Sequence, residues 1–394
     1  MGYVRKKYMQ GLGRFRGQSG PRPGRRAEPV AHPTLCQNAP VTVSTVQGIS
    51  HPATPASARR PALMPMLRTN LALGATVFIC WLIFGGEHSL HAMAGHWQVS
   101  LTMVFGSLVG GGTSEGGGAV GFPVLTKVLA VPADQARLFS FAIQSVGMGA
   151  ATVSIVSNRV PLEWRAIRFG APAAMVGVFV SCLFLAPRLQ GGTVRLLFTA
   201  ILVGLGLALW ISRRFAPDRR DFIGLFGPGE RAALVGAGLL GGLLSGLAAV
   251  GENTIMFALL VLGFRVCERL VTPTTVVLLT IVTWTGFATH ALVMGDFHGP
   301  VVDMWLAAVP IVAIGAPTGA LLCTRMSRDV IVRILYVLIS VEFTSTVLLV
   351  PMPGGQGVLF GLAILAFSLI CVRLATWRRY RVSDAPLVAV RASG

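Results

Sequence analysis

Two acidic residues inside apolar sequence are the first candidates for chemistry. Glu115 lies in a glycine-rich stretch at 110–118, and Glu252 lies in a second break at 248–254. If these stretches enter a bilayer, each carboxylate is costly and marks a functional site by default. Each could carry a proton or bind a cation. The alternative, that each caps the helix that follows it, stays open.

Small and polar residues around the two glutamates complete a predicted binding site. Glycine lets backbone approach a ligand closely, and a helix starting after each break would turn its positive end toward an anion. A structural alternative is that the glycines only let helices cross closely. The predicted substrate-binding residues are Thr113, Ser114, Glu115, Gly116, Gly117, Gly118, Gly251, Glu252, Asn253, Gln144 and Ser145.

Arg137 precedes an apolar run, with Gln144 and Ser145 about two helical turns further along. Arg137 could attract an anion to the outer mouth of a cavity, or it could anchor at the membrane interface by snorkelling. We predict Glu115, Glu252 and Arg137 as coupling or gating residues. His290 and Glu342 also lie inside apolar runs and are equally compatible with buried, mutually satisfied roles.

The sequence does not indicate an enzyme. A G-x-G-x-x-G pattern at Gly116, Gly118 and Gly121 has no preceding strand, so it does not predict a dinucleotide site. No Walker A or H-E-x-x-H motif occurs, which argues against ATP drive and against a zinc-dependent intramembrane hydrolase. His88, His91 and His96 lack a fixed ligand geometry. We therefore expect no cofactor and no metal.

Composition points to a membrane protein. Hydrophobic residues make up 53% of the 394 positions and charged residues only 12%, whereas soluble domains are about a quarter charged. The net charge of +18 comes from Lys and Arg in the first 68 residues and in short segments between apolar runs. That distribution is typical of cytoplasmic loops, so nucleic acid is not an expected partner.

The apolar runs predict eight full membrane spans and two longer regions. The spans lie near 69–86, 138–157, 168–186, 195–212, 270–293, 302–323, 331–350 and 357–372. Regions 98–130 and 232–264 would each make a helix roughly 50 Å long, against a hydrocarbon core of about 30 Å. Polar and glycine residues interrupt both in the middle, so we predict hairpins or broken helices.

The two long regions belong to an internal duplication. At an offset of 135, Gly106, Gly111 and Phe122 align with Gly241, Gly246 and Phe257; further along, at an offset of 138, Pro172 and Gly177 align with Pro310 and Gly315. The positive-inside rule favours broken regions that re-enter, with both termini cytoplasmic. Few basic residues then lie outside: Lys127, Arg137, Arg188 and Arg195.

The predicted fold is an all-α polytopic membrane protein with two inverted repeats. Each repeat is a broken, re-entrant helical hairpin plus three transmembrane helices, and one extra helix lies at each end. The predicted order is a disordered basic tail (1–66), an additional helix and loop (67–96), the first repeat (97–213), a cytoplasmic linker (214–230), the second repeat (231–350), and a C-terminal helix with a basic tail (351–394). The tail at 1–66 also fits an organelle transit peptide or a later start at Met64 or Met66.

Several motifs, in this order, resemble the TauE/SafE sulfite exporter family, also called the toluene-sulfonate uptake permease family. They are Gly116-Gly117-Gly118 with Pro123, the stretch 160–165 (VPLEWR), Pro172 with Gly177, and the repetition of this pattern in the second half. The resemblance covers roughly residues 97–350. It implies a duplicated permease for small sulfur-containing or organic anions, such as sulfite, sulfonates and sulfoacetate.

The chain departs from the family pattern at Ser114-Glu115 and Glu252-Asn253. These residues add negative charge where an anion would bind, which points to proton coupling or to a different substrate. We therefore predict a secondary transporter of small anions, coupled to protons, in a bacterial inner or cell membrane. Its partners would be a small anion, protons and the lipid bilayer. A passive anion channel and a non-transporting membrane scaffold are the alternatives.

Overall fold

The structure, a computed structural model, describes residues 63–113, 117–215, 222–223 and 226–375, and these residues contain helices and no strand. Residues 1–62 of the predicted tail at 1–66, residues 376–394 of the C-terminal tail, and residues 216–221 and 224–225 of the predicted linker at 214–230 lie outside the described residues. The helices are α1 Leu63–Gly95, α2 Trp97–Gly112, α3 Gly118–Pro123, α4 Ala133–Ser157, α5 Trp164–Val180, α6 Gly191–Phe215, α7 Pro228–Ala248, α8 Glu252–Ala258, α9 Glu268–Ala288, α10 Pro300–Arg325, α11 Arg328–Leu349 and α12 Gln356–Ala375. The predicted all-α class is confirmed.

Eight helical segments of the described chain are long and apolar enough to cross a membrane. They are Met64–Gly95, Ala133–Ser157, Trp164–Arg188, Pro228–Ala248, Glu268–Met294, Pro300–Cys323, Asp329–Leu349 and Gln356–Leu374. Seven coincide with predicted spans. The eighth is α7, which the sequence assigned to a broken region, while the predicted span at 195–212 falls in α6. Large apolar side chains such as Phe84 and Leu362 are exposed, as a lipid-facing surface requires.

The loop predicted after the first span (69–86), within 67–96, is wrong, because α1 continues as helix to Gly95. Gly86 has a φ of 51° there, so α1 bends at this residue and then resumes. His88 Nε2 lies 3.0 Å from Asp303 Oδ1 at the start of α10. No group of metal-ligating side chains occurs in the described part of the chain.

The first broken region folds back on itself, as predicted. α2 ends at Gly112, and α3 runs back along it, so that Gly117 packs on the backbone of Gly106 and Gly121 lies beside Met103. α3 continues as a π-helical turn at Val124–Val128.

The second broken region has the same construction. Gly241 of α7 packs against the backbone of Glu252, and α8 continues as a π-helical turn at Leu259–Gly263. Corresponding hydrogen bonds close both hairpins, from Val131 N to Leu125 O (2.9 Å) and from Val266 N to Leu260 O (2.8 Å). The element order of hairpin followed by three helices therefore occurs twice in the described chain, as α2–α6 and as α7–α11.

Small residues join helices of the two halves at close range. In the α5–α7 pair, a methyl group on Gly238 or Gly242 would overlap the carbonyl oxygen of Gly170 or Ala174. In the α2–α10 pair, a methyl group on Gly319 would overlap the carbonyl oxygen of Leu108. Such backbone contact is how membrane helices pack without a hydrophobic driving force.

The stretch at 160–165 starts α5 and holds the linker. Glu163 Oε1 accepts a hydrogen bond from Arg165 N at the helix start, and its Oε2 accepts one from Ile223 N at 3.1 Å. Arg165 Nη1 donates to Ile223 O at 3.0 Å. This motif therefore has a structural role.

Helices α6, α11 and α12 form a separate group, called here the peripheral group, because they pack mainly against one another. Gly204 and Gly206 of α6 contact Phe367 of α12 and Ile339 of α11. The central group comprises the two hairpins, α4, α5, α9 and α10, with α1 on α10. The two broken regions thus lie in the central group.

Gly242→Ala should lower the thermal stability of the detergent-solubilised protein, because the new methyl group forces α7 away from Ala174. Overpacking of this kind costs about 1–3 kcal/mol. The matched control is Gly236→Ala in the same helix, where no atom lies within 4 Å of the added carbon. Heating followed by size-exclusion chromatography measures both variants, and equal midpoints would contradict the proposed close packing.

Candidate functional site

The two broken regions meet. A Cβ placed on Gly118, the first residue of α3, would lie 2.5 Å from Val250 Cγ1 in the second break. Gln144 of α4 donates a hydrogen bond from Nε2 to the carbonyl oxygen of Ala249 at 3.1 Å. Gln144 Nε2 is also 3.1 Å from that position on Gly118. One amide side chain, that of Gln144, therefore lies at both breaks.

The second break depends on two unusual backbone conformations. Ala249 is left-handed (φ 57°), and Gly251 has a φ of 138°, which side-chain-bearing residues rarely adopt. Gly251 N donates to Asn253 Oδ1 at 3.0 Å, and Glu252 N donates to Ser245 Oγ at 2.9 Å. The two N–H groups are therefore satisfied by residues of the second break and of α7, and the Asn253 side chain accepts one of these hydrogen bonds.

The Glu252 carboxyl group is the exception. The residue is fully buried, and neither carboxyl oxygen has a hydrogen-bond partner in the described chain. The capping alternative is wrong for Glu252, since a cap would accept a backbone N–H. An isolated ionised carboxylate in such surroundings is costly, so this group needs a proton or a counter-charge.

The first break is described only at its edges. Thr113 is buried and extended (φ −129°), and Gly117 and Gly118 are buried. The predicted residues Ser114, Glu115 and Gly116 lie outside the described residues.

Two further predicted residues behave differently from each other. Gln144 Oε1 is buried without a partner, which leaves an acceptor at the breaks unused. Ser145 donates its hydroxyl to Ala142 O at 2.7 Å, and its carbonyl oxygen accepts the Trp284 indole N–H at 2.8 Å. The contacts described for Ser145 thus lie within α4 and toward α9, away from the breaks.

Arg137 is buried, with 8% exposure, which disagrees with the snorkelling alternative. Its Nε has no hydrogen-bond partner in the described chain. It lines a cavity of about 300 Å³. The other lining residues are Ala133, Asp134, Ala186, Pro187, Leu189, Gly191, Val194 and Leu247. Leu247 lies two residues before Ala249, so the cavity approaches the second break.

A histidine–aspartate pair that the sequence did not connect lies near Arg137. His290 Nδ1 is 2.8 Å from Asp296 Oδ2, and the histidine ring lies on Phe141 with a centroid separation of 5.8 Å. Asp296 acts electrostatically on Arg137. The sequence signal that could have revealed this pair is Gly295, since a glycine after an apolar run often marks a turn. Gly295 has a φ of 67°, and the turn there brings His290 and Asp296 together.

The structure adds a partner for Lys127, which the sequence counted among the few basic residues on the outer side. Its side chain is 3% exposed and pairs with Glu342 of α11. The sequence contains a signal for this ion pair, because Lys127 and Glu342 are each a lone charged residue in an apolar stretch.

A comparison with protein-family models finds a match over most of the described helices. The model described as sulfite exporter TauE/SafE matches residues 99–345. No curated protein and no solved structure matches the chain.

Gly118→Ala should destabilise the protein by about 1 kcal/mol, because the new methyl group meets Val250. The double variant Gly118→Ala/Val250→Ala should recover most of the loss, since it removes the opposing Cγ1. A double-mutant cycle of thermal unfolding midpoints measures the coupling. Additive effects would show that the two breaks are not in contact.

Proposed function

Since the chain belongs to the sulfite exporter TauE/SafE family, a family of multi-pass membrane transporters, we propose that it is a proton-coupled secondary transporter of small anions. Sulfite, sulfonates and other small organic anions are the proposed substrates. The substrate would bind between the two breaks, with the bacterial cell membrane as the location and both termini cytoplasmic.

The observation that carries this proposal is the meeting of the two breaks. Gly118 faces Val250, and Gln144 bonds to Ala249, so broken helices from both halves contribute to one place. Irregular backbone at membrane depth is tolerated only where protein buries it or where it lines a cavity. Discontinuous helices that meet in this way form the substrate sites of many secondary transporters.

The proposal includes an inverted relation between the halves, which rests on both hairpins re-entering the membrane. A hairpin that leaves the membrane by the side it entered adds no crossing, so each half crosses three times. An odd number of crossings gives the second half the opposite orientation. The corresponding closing bonds at Val131 and Val266 support a common origin of the two halves. Rocking of one element against another around a fixed site would then give alternating access.

Arg137 supplies the positive charge that an anionic substrate needs. Its guanidinium group presents several donors in a planar fork that matches the oxygens of sulfonates and carboxylates. Its Nε is unpartnered, and the cavity of about 300 Å³ beside it suits a small ion. We propose that the anion reaches the breaks from this cavity, past Leu247.

Glu252 is the proposed coupling group. A bound anion would repel an ionised carboxylate at the second break, whereas a protonated Glu252 removes that repulsion. Proton binding and anion binding therefore favour each other, and by linkage each raises the affinity for the other equally. Glu115 is proposed as its counterpart at the first break.

Proteoliposomes should accumulate methanesulfonate or sulfite against a gradient when a pH gradient is imposed, because the proton gradient does the work. Methanesulfonate is the more informative substrate, since it does not titrate near neutral pH and its protonation cannot imitate coupling. Uptake of radiolabelled anion, with and without an ionophore that collapses the gradient, measures this. Equilibration without accumulation would indicate a passive channel, and no uptake of any small anion would contradict the proposal.

Glu252→Gln should abolish the stimulation by the pH gradient while keeping anion exchange, because the amide is permanently neutral. Coupling of this kind typically changes the affinity for the second ligand by roughly 5- to 150-fold. In the variant, the pH gradient should leave the affinity for the anion about unchanged. Arg137→Gln is the contrasting variant. It should weaken anion binding by roughly tenfold or more and leave the pH dependence in place. Unchanged coupling in Glu252→Gln would remove Glu252 from the mechanism.

A further inference from the structure

The cavity beside Arg137 also carries a carboxylate group. Asp134 and Arg137 both line this space of about 300 Å³, and both belong to the start of α4. Residues three positions apart lie on the same face of a helix, with Cβ atoms about 5–6 Å apart. One cavity therefore presents a negative and a positive group on one face of one helix.

These two groups do not satisfy each other. Within the part of the chain that the structure describes, Asp134 has neither an ion pair nor a side-chain hydrogen bond. Arg137 is 8% exposed, and its Nε has no hydrogen-bond partner there. Unsatisfied polar groups on a cavity wall favour a ligand that supplies what each of them lacks.

The charge around Arg137 also favours a ligand with a cationic group. Asp134 and Asp296 both act electrostatically on Arg137, so two carboxylates act on one guanidinium group. Asp296 is engaged by His290, with Oδ2 2.8 Å from Nδ1, whereas Asp134 remains available. A simple anion would add a third negative charge here, but an anion that also carries an ammonium group would add no net charge.

The remaining walls of the cavity suit a short carbon chain. Apolar side chains line it at Ala186, Pro187, Leu189, Val194 and Leu247. The start of α6 closes on the start of α4 at Gly191, where an added Cβ would lie 2.9 Å from Ala133 Cβ. A volume of about 300 Å³ is at the lower end for ligand pockets, so the ligand has to be small.

We propose that this cavity selects small anions that also carry an ammonium group, with the acid group on the Arg137 guanidinium group and the ammonium group on the Asp134 carboxylate. Short ω-amino sulfonates and ω-amino carboxylates have this form. The inference rests on the proposed anion transport and names the preferred substrate class for it. Simple anions bind the same cavity more weakly, because Asp134 repels them and gains nothing in return.

Asp303 provides a matched control for the ordinary role of an acidic residue at a helix start, which is to stabilise the positive end of the helix. Asp303 lies in the first turn of α10, as Asp134 does in α4. It pairs with His88 at 3.0 Å and does not line this cavity. Asp303→Asn and Asp134→Asn therefore remove the same charge from equivalent helix positions, but only Asp134→Asn changes the cavity.

Calorimetric titration of the detergent-solubilised protein tests the proposal with 3-aminopropanesulfonate and butanesulfonate, which has a methyl group in place of the ammonium group. The wild type should bind the amino compound roughly fivefold more tightly, the upper end for a charge pair with an exposed member. Asp134→Asn should weaken binding of the amino compound and strengthen binding of butanesulfonate, so that the two affinities become about equal. Asp303→Asn should keep the wild-type preference. The pair of 4-aminobutanoate and pentanoate repeats the comparison for carboxylates.

Equal affinities within both pairs of compounds, or a preference that survives Asp134→Asn, would overturn the proposal and leave Asp134 as a helix-start residue. Arg137→Gln should weaken binding of all four compounds, because all share the acid group.

Uptake assays separate this inference from the proposed function. Proton-driven uptake of methanesulfonate without any preference for amino compounds would overturn the inference alone. An amino preference that depends on Asp134, without proton-driven uptake of any anion, would contradict the proposed function and leave the binding site standing.

Discussion

The close backbone packing of glycine-bearing helices across the two halves is the constraint on which the rest depends. Gly242 lies on the Ala174 carbonyl and Gly319 on the Leu108 carbonyl, so that α5 holds α7 while α10 holds α2. Each hairpin thus packs closely against a helix of the other half. Because both hairpins are held in this crossed manner, their breaks are brought together at Gly118 and Val250. Without that contact, the irregular backbone would have no protein to cover it.

The buried charges divide into two kinds that do different work. Lys127 and Glu342 satisfy each other and their neighbours through a dense set of hydrogen bonds. Glu252 and Arg137 have unused hydrogen-bonding capacity beside the breaks and the adjoining cavity. A satisfied buried pair resists separation, whereas unsatisfied groups favour binding of what they lack. The first kind suits anchoring of the first hairpin on α11, and the second suits the proposed contact with substrate and proton.

The sequence predicted much of this architecture because its signals are strong in a bilayer. Span lengths, the two breaks at 110–118 and 248–254, and the helical class follow from hydropathy and glycine placement. The continuation of α1 past Gly86 was missed, since a glycine followed by polar residues is also typical of a loop. The pairing of Lys127 was not predicted, because hydropathy treats each residue alone and its partner Glu342 lies more than two hundred positions away. Gln144 lies at the breaks whereas the carbonyl of its neighbour Ser145 contacts Trp284, a difference that only the helix packing decides.

Duplication explains why the asymmetric positions are the informative ones. The two hairpins share their π-helical turns and closing bonds, so the common scaffold accounts for what they have in common. Glu252 occupies the position that Gly117 holds in the first half, and Lys127 the position that Leu262 holds in the second. In the proposed transport cycle, two equivalent half-sites would give two equivalent inward and outward states. A charge placed in only one half would make those states differ in energy, and a proton that neutralises it would shift the balance between them. The departures from symmetry are therefore where direction and coupling would enter the proposed mechanism.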